Sequence, residues 1–454
     1  MTFTYKEVKL RHITNFLESD AYKKAIHNLI PGGSHTYSKG DDQFPQLAPA
    51  AISHGKGSHI WDIDGNEYLD CPMGLTSVSL GHAYEPVLKA IQNELKNGVN
   101  FQRPSVLERE MAERFLSIVS VHDRIKFAKN GSIATTAAVK LARARTGRNL
   151  VAFPRDHPFY SYDDWFIATT PCNKGIPDEI TKLSVTFQSF DIASVKAMFE
   201  AHPGQIACII TEPEKSDTKS ESEKEAYIKE LIKITHQNGA LFILDEMVTG
   251  FKTGFPGSIS KWSLEPDMAT WGKGIANGFS FCALTGKSDV MDLGGITREG
   301  EEKVFLISTT HGGETHTMSA AIATIDEFQR HNIIEHNQAI GDQLIAICNQ
   351  IINDHRLFKY IQISPTNWLV GFSFYDSQNE VSNGMRTLVM QEMIKRGVLF
   401  QGAFVPCFSH SEEDVLYFAK AFDEVLPIYS EAIDKGFESL LIGVPAKPVF
   451  RKVL

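Results

Sequence analysis

Apolar and polar positions alternate between two rhythms through the middle of the chain. VLEREMAERFLSIV (106–119) repeats its apolar residues at helical spacing, and RIKFAK (124–129) reads as a strand. SIATTAAVKLARARTG (132–147) predicts an alanine-rich helix closed at Gly147, followed by a short apolar strand, NLVAF (149–153). The exchange continues with a helix at ASVKAMFEAH (193–202) and a buried strand at QIACIITE (205–212). An amphipathic helix, EAYIKELIKITHQNG (225–239), ends at Gly239 and leads into the strand ALFILDE (240–246). Short apolar strands alternating with helices predict right-handed βαβ units and a mostly parallel sheet.

The flanks have another texture. GSHIWDIDGNEYLD (57–70) sets Asp64-Gly65-Asn66 between runs rich in Ile, Trp, Tyr and Leu, which predicts a hairpin. The alternation fades after about residue 325, where long helical stretches precede the strand-like FKYIQIS, WLVGFSFY and GVLFQ. The pattern predicts a large α/β domain over 76–325, with 1–75 and 326–454 joining in a smaller α+β domain. The polar stretch 214–227 reads as a solvated loop entering a helix.

Composition narrows the function classes. A chain of 454 residues exceeds one small core, and its 43% hydrophobic and 22% charged content is that of a soluble globular protein. A net charge of −10, with both signs interspersed, argues against nucleic acid and anionic membranes as partners. The first residues, MTFTYKEVKLRHITNF, lack the apolar core of a secretory signal, and no stretch approaches the roughly 20 apolar residues that span a bilayer. The six cysteines are scattered without metal-ligand spacing, so no metal site is expected and they read as small buried hydrophobes. A cytoplasmic enzyme is the expected setting.

Candidate chemistry gathers where strands end. In FILDEMVTGFKTG (242–254) an apolar run meets Asp245 and Glu246, and an ionised carboxylate there needs a cation beside it. Glu212 closes CIITEP. Asn130-Gly131-Ser132 precedes a helix, where free N–H groups favour a phosphate, although a plain serine cap accounts for the same residues. Lys273 stands between Gly272 and Gly274 in DMATWGKGIANGF (267–279), a segment with little other charge that lets a planar group approach. An amine for an aldehyde, an anion hole for a phosphate and a carboxylate for a pyridine nitrogen are what pyridoxal phosphate requires.

LDEMVTGFKTG, with Lys273 twenty-eight positions after Asp245, resembles the class III (fold type I) pyridoxal-phosphate aminotransferases, in the glutamate-1-semialdehyde aminomutase-like branch. Motifs in matching order support it: PGGSHTYSKG (31–40), WDIDGNEYLDCPMGL (61–75), LGHAYEPV (80–87), NGSIATTAAVKLARARTGR (130–148), IITEP (209–213), STTHGGETHTMSAAIATI (308–325) and HSEEDV (410–415). The resemblance implies a mostly parallel seven-stranded sheet flanked by helices, a smaller α+β domain, and pyridoxal 5'-phosphate as cofactor. By the same resemblance Lys273 binds the cofactor aldehyde and Asp245 partners its pyridinium. Gly131 and Ser132 hold the phosphate, and Thr310 reaches it from the neighbouring subunit of a homodimer with shared sites. Phe159 stacks on the cofactor, Tyr160 stands where a histidine is usual, Met247 and Val248 pack near the ring, and Glu212 lies close by. The implied activity moves an amino group from a donor, glutamate by resemblance, to a small carbonyl acceptor, with sugar-derived carbonyls among the candidates. The alternatives are intramolecular transfer of the glutamate-1-semialdehyde aminomutase type and a catalytically silent binding protein.

Departures from the family pattern carry information too. Asn130-Gly131-Ser132-Ile133-Ala134 replaces the common Ser-Gly-Thr-Glu-Ala. Phe159-Tyr160-Ser161 replaces Tyr-His-Gly, with His157 a candidate for the lost imidazole. Lys39 takes the place of the arginine that in aminomutases grips a substrate carboxylate, and lysine cannot make that two-pronged bond. Lys252 replaces the arginine of Thr-Gly-Phe-Arg. The lysine at 39 weighs against glutamate 1-semialdehyde as substrate.

Overall fold

In the computed structural model, which describes residues 5–156, 159–215 and 217–453, the alternating segment builds a seven-stranded sheet. Across it the strands lie in the order Arg124–Ala128, Cys282–Gly286, Met268–Trp271, Leu241–Glu246, Ile206–Thr211, Leu150–Pro154, Ser184–Phe187. All share one direction except Cys282–Gly286, which runs against both neighbours. The mostly parallel sheet therefore stands as the sequence predicts. The one reversal follows from the connection 272–281, which is too short for a helical crossover and turns the chain back beside the strand it left.

The helices start where their caps dictate. Helix Val106–Ile118 opens on a capping box between Ser105 and Glu108. Helix Glu221–Gln237 opens on a second box, Ser220 with Glu223, a turn earlier than its apolar spacing predicts. The acidic Glu221 and Glu223, which read as loop by hydropathy, favour the positive end of a helix. Helix Gly131–Thr146 begins where the Asn130 side chain accepts from Ile133 N at 3.0 Å and ends at Gly147 with φ 67°.

Successive strand residues face opposite sides, so the sheet carries two cores. Phe242 and Leu244 pack with Ile209, Ala269 and Trp271 on one face. Ile243 packs with Cys208, Ile210 and Met268 against the alanine-rich helix on the other. A third core gathers the helices Ile333–Asp354, Asn383–Lys395 and Glu412–Lys435, and takes in Tyr5, Leu69 and Cys71 from the start of the chain. The predicted hairpin forms from His59–Asp62 and Glu67–Asp70, and Val398–Leu399 pairs beside it in parallel. Five cysteines are buried, Cys172 is exposed, and all six are free. No described helix is long and apolar enough to cross a membrane.

Candidate active site

Ligands of such sheets lie beyond the carboxyl ends of the strands. That edge carries Asn130-Gly131-Ser132, Glu212, Asp245 and Lys273, each just at or after the end of its strand. Because one strand is reversed, its first residue, Cys282, joins the same edge.

Asp245 and Glu246 separate to opposite faces. Asp245 is 2% exposed and accepts from Thr270 Oγ1 at 2.8 Å and Met247 N at 3.0 Å. Glu246 accepts from Ile259 N at 2.7 Å and from the Thr249 hydroxyl, which pins the turn that follows the strand. Burial pushes the Glu246 carboxyl up to about 8, against the pull of those two bonds and with the charge of Glu214 adding to the rise.

Lys273 occupies the left-handed region at φ 48°, a conformation that costs a side chain about 1–3 kcal/mol. Its surroundings enforce it. Its backbone N–H faces the Cys282 sulfur, and Gly274 O accepts from Ser79 Oγ at 2.8 Å. A Cβ on Gly272 would strike Met247 Sδ and stand 2.6 Å from Cys282 Sγ, so glycine is required there. Burial lowers the Lys273 ammonium below its ordinary value, while Glu212, Asp245 and Cys282 act in the opposite direction.

The helix start opposite is tied to the loop that carries the predicted stacking ring. Ser132 Oγ accepts from Tyr162 N at 3.0 Å, and Thr135 Oγ1 donates to Tyr160 O at 3.0 Å. Phe159 is 49% exposed and meets Phe166 edge-on, whereas Tyr160 is buried against Phe153 and Phe166. Burial raises the Tyr160 phenol well above its ordinary value, and the charges of Glu212 and Asp245 add to this. Tyr160 thus belongs to the same electrostatic cluster as Lys273. Met247 closes over Gly131, where a Cβ would stand 2.9 Å from its sulfur, and Val248 beside it is partly buried. His157 lies outside the described residues.

Two sequence candidates lie elsewhere. Thr310 is exposed, with its carbonyl accepting from Asn100 Nδ2 at 3.1 Å. Lys39 lines a shallow hollow of the N-terminal segment with Tyr22, Lys23 and Asp41. Two residues were not foreseen as site members. Cys282 arrives through the strand reversal, and its thiol is pushed up to about 12, mainly by burial. Lys252 is 3% exposed and feels the charges of both Lys273 and Glu212. In the sequence it is marked only as the lysine that replaces the arginine of Thr-Gly-Phe-Arg.

These residues fit pyridoxal phosphate. They offer an amine between two glycines, a buried carboxylate, and a helix start whose first N–H groups find no partner within the helix. Among the described residues no cluster suits a metal ion.

A family model for class-III aminotransferases matches residues 38–426. Glutamate-1-semialdehyde 2,1-aminomutase 2 of Staphylococcus haemolyticus is 28% identical over 431 residues, covering 89% of this chain and 97% of its own. The 3-aminobutyryl-CoA aminotransferase of Cloacimonas acidaminovorans is 26% identical over 404 residues, covering 88% and 94%. Among solved structures, the PLP internal aldimine form of the FumI protein of Sphingopyxis sp. MTA144 has a TM-score of 0.82 at 23% identity, covering 92% of this chain and 97% of that one.

Proposed function

The chain belongs to the class III aminotransferases, and from that premise we propose that it carries an amino group from a donor, with glutamate first, to a small carbonyl acceptor. The observation that carries the reading is Lys273, held left-handed between two glycines at the sheet edge where Asp245 and Glu212 act on its charge.

Pyridoxal phosphate, when bound, supplies an aldehyde and a ring that stabilises negative charge on the substrate carbon. The chain supplies the rest. Lys273 receives and returns the proton of that carbon, a task suited to an amine whose pKa is lowered by burial. Asp245, fixed by Thr270 and Met247, sets a negative charge against the ring nitrogen. Gly131 and Ser132 offer first-turn N–H groups and a hydroxyl to the phosphate. Phe159 presents a ring face, Tyr160 and Glu212 complete the polar wall, and Met247 and Val248 keep water from it. Thr310 serves the site of a second copy in a homodimer.

The Staphylococcus relative supports a second reading, intramolecular amino transfer. Lys39, with one point charge in place of a planar fork, argues against it. The two readings separate in one assay. Enzyme loaded with pyridoxamine phosphate is offered a panel of carbonyl acceptors, and glutamate 1-semialdehyde is supplied alone in parallel. Turnover of an acceptor supports transfer between molecules; 5-aminolevulinate formed at ordinary enzymatic rates overturns it.

A further inference from the structure

Of the ten described methionines nine are buried, and Met247 alone is partly exposed. The one within reach of solvent also stands at the centre of the site. Its backbone N–H donates to Asp245 Oδ1 at 3.0 Å. Its thioether lies against the two glycines that lead into the phosphate turn and the lysine turn. A Cβ on Gly131 would stand 2.9 Å from both Sδ and Cε of Met247. A Cβ on Gly272 would strike the same sulfur and stand 2.6 Å from Cys282 Sγ. The sulfur thus fills space that side chains at 131 and 272 would otherwise take. Gly131 adjoins Ser132 and Gly272 adjoins Lys273, so a change at this one atom reaches both turns together.

A hydroperoxide converts an accessible thioether to a sulfoxide, which is polar and chiral. Methionine is unbranched, and its three rotatable bonds let it turn the sulfur towards the opening. The nine buried methionines lack that access. Cys282 beside it is a poor competitor, because burial pushes its thiol up to about 12 and the thiolate is the reacting form. An oxygen added to the Met247 sulfur finds no room beside two glycine backbones and a thiol, so the oxidised side chain must leave that gap. A cofactor that spans Asp245, Lys273 and Gly131-Ser132 must lie over Met247, which borders all three.

We propose that Met247 is a reversible oxidation site for hydroperoxides, open while the cofactor is absent and covered when it is bound, and that its sulfoxide keeps the cofactor out. A lone pair of the sulfur attacks one oxygen of the peroxide, and the O–O bond breaks. The oxygen now on sulfur gives its proton to the departing hydroxide, which leaves as water. The thioether is oxidised to the sulfoxide and the peroxide is reduced. The inference rests on the pyridoxal-phosphate reading of the site, since that group is the one that competes with the oxidant.

The test uses full-length protein freed of cofactor, as wild type, Met247→Leu and Cys172→Ser, beside wild type carrying pyridoxal 5'-phosphate. Each is treated with hydrogen peroxide, and added oxygen is mapped by mass on every methionine peptide. In cofactor-free wild type and in Cys172→Ser, which lacks the exposed thiol, Met247 is expected to react about tenfold faster than any other described methionine. Bound cofactor is expected to slow it about tenfold. Capture of pyridoxal 5'-phosphate, followed by visible absorbance, is expected to weaken about tenfold or more after peroxide and to return after treatment with methionine sulfoxide reductases. Met247→Leu, compared with its own untreated form, is expected to lose this sensitivity. Earlier oxidation of another methionine, equal rates with and without cofactor, or undiminished capture by protein oxidised at Met247 each overturns the inference while leaving the function intact. If untreated wild-type protein fails to capture the cofactor on Lys273, as mapped after borohydride reduction, the functional reading falls and this inference with it.

Discussion

Asp245 and Glu246, neighbours in the chain, serve opposite faces of one sheet: Asp245 holds Thr270 Oγ1 at 2.8 Å, and Glu246 holds Ile259 N at 2.7 Å. The pair that looks like one acidic patch in sequence is two separate devices, one aimed at the site and one holding the turn behind it.

Asp245→Asn tests the first device. The amide oxygen still accepts from Thr270 and Met247, so the fold is expected to survive with an unchanged circular dichroism spectrum. Without the negative charge, kcat is expected to fall about 100-fold or more. Activity within a few-fold of wild type would remove Asp245 from the chemistry.

Glu246→Gln tests the second. The carboxyl has a folded-state value of about 8, above its unfolded value of 4.5, so the folded protein holds that proton more tightly. The stability it contributes is fully present below pH 4.5 and is lost as pH rises through 8. The glutamine variant lacks this loss, and denaturant melts of the two proteins are expected to differ most at the alkaline end. Parallel curves across that window would show that Glu246 does not titrate there.

Lys273→Ala removes the amine and leaves the backbone turn to Cys282 and Ser79. Protein purified with added pyridoxal phosphate is expected to lose the cofactor on gel filtration, and borohydride is expected to fix none to the chain. Covalent cofactor on the variant would assign the bond to another lysine.

Gly272→Ala tests the packing around Lys273. The added methyl meets Met247 Sδ and Cys282 Sγ, so one of them or the turn must move. Overpacking of this kind costs about 1–3 kcal/mol, read as a lowered melting temperature. Cofactor retention is expected to weaken with it. A variant as stable as wild type would mean that the contact yields freely.

Hydrophobic rhythm by itself determined the parallel sheet, because an apolar run between helices has few other places to lie. The shared place of Lys273, Asp245 and Gly131-Ser132 at one sheet edge was legible for a related reason: strands of one direction bring their ends to one edge, and polar residues at those ends stand out against apolar runs. Cap chemistry moved the start of helix Glu221–Gln237, which hydropathy alone placed a turn late. Tertiary structure decided what depends on contacts between distant segments. It turned Asp245 and Glu246 to different faces, bent Lys273 into the left-handed region against Cys282, and seated Phe251 so firmly that Lys252 points inward. A lysine in a turn reads as solvated in sequence, since its surroundings include a glycine twenty-two positions later and a preceding Phe251 seated against Phe255 and Phe328, and no local pattern records those.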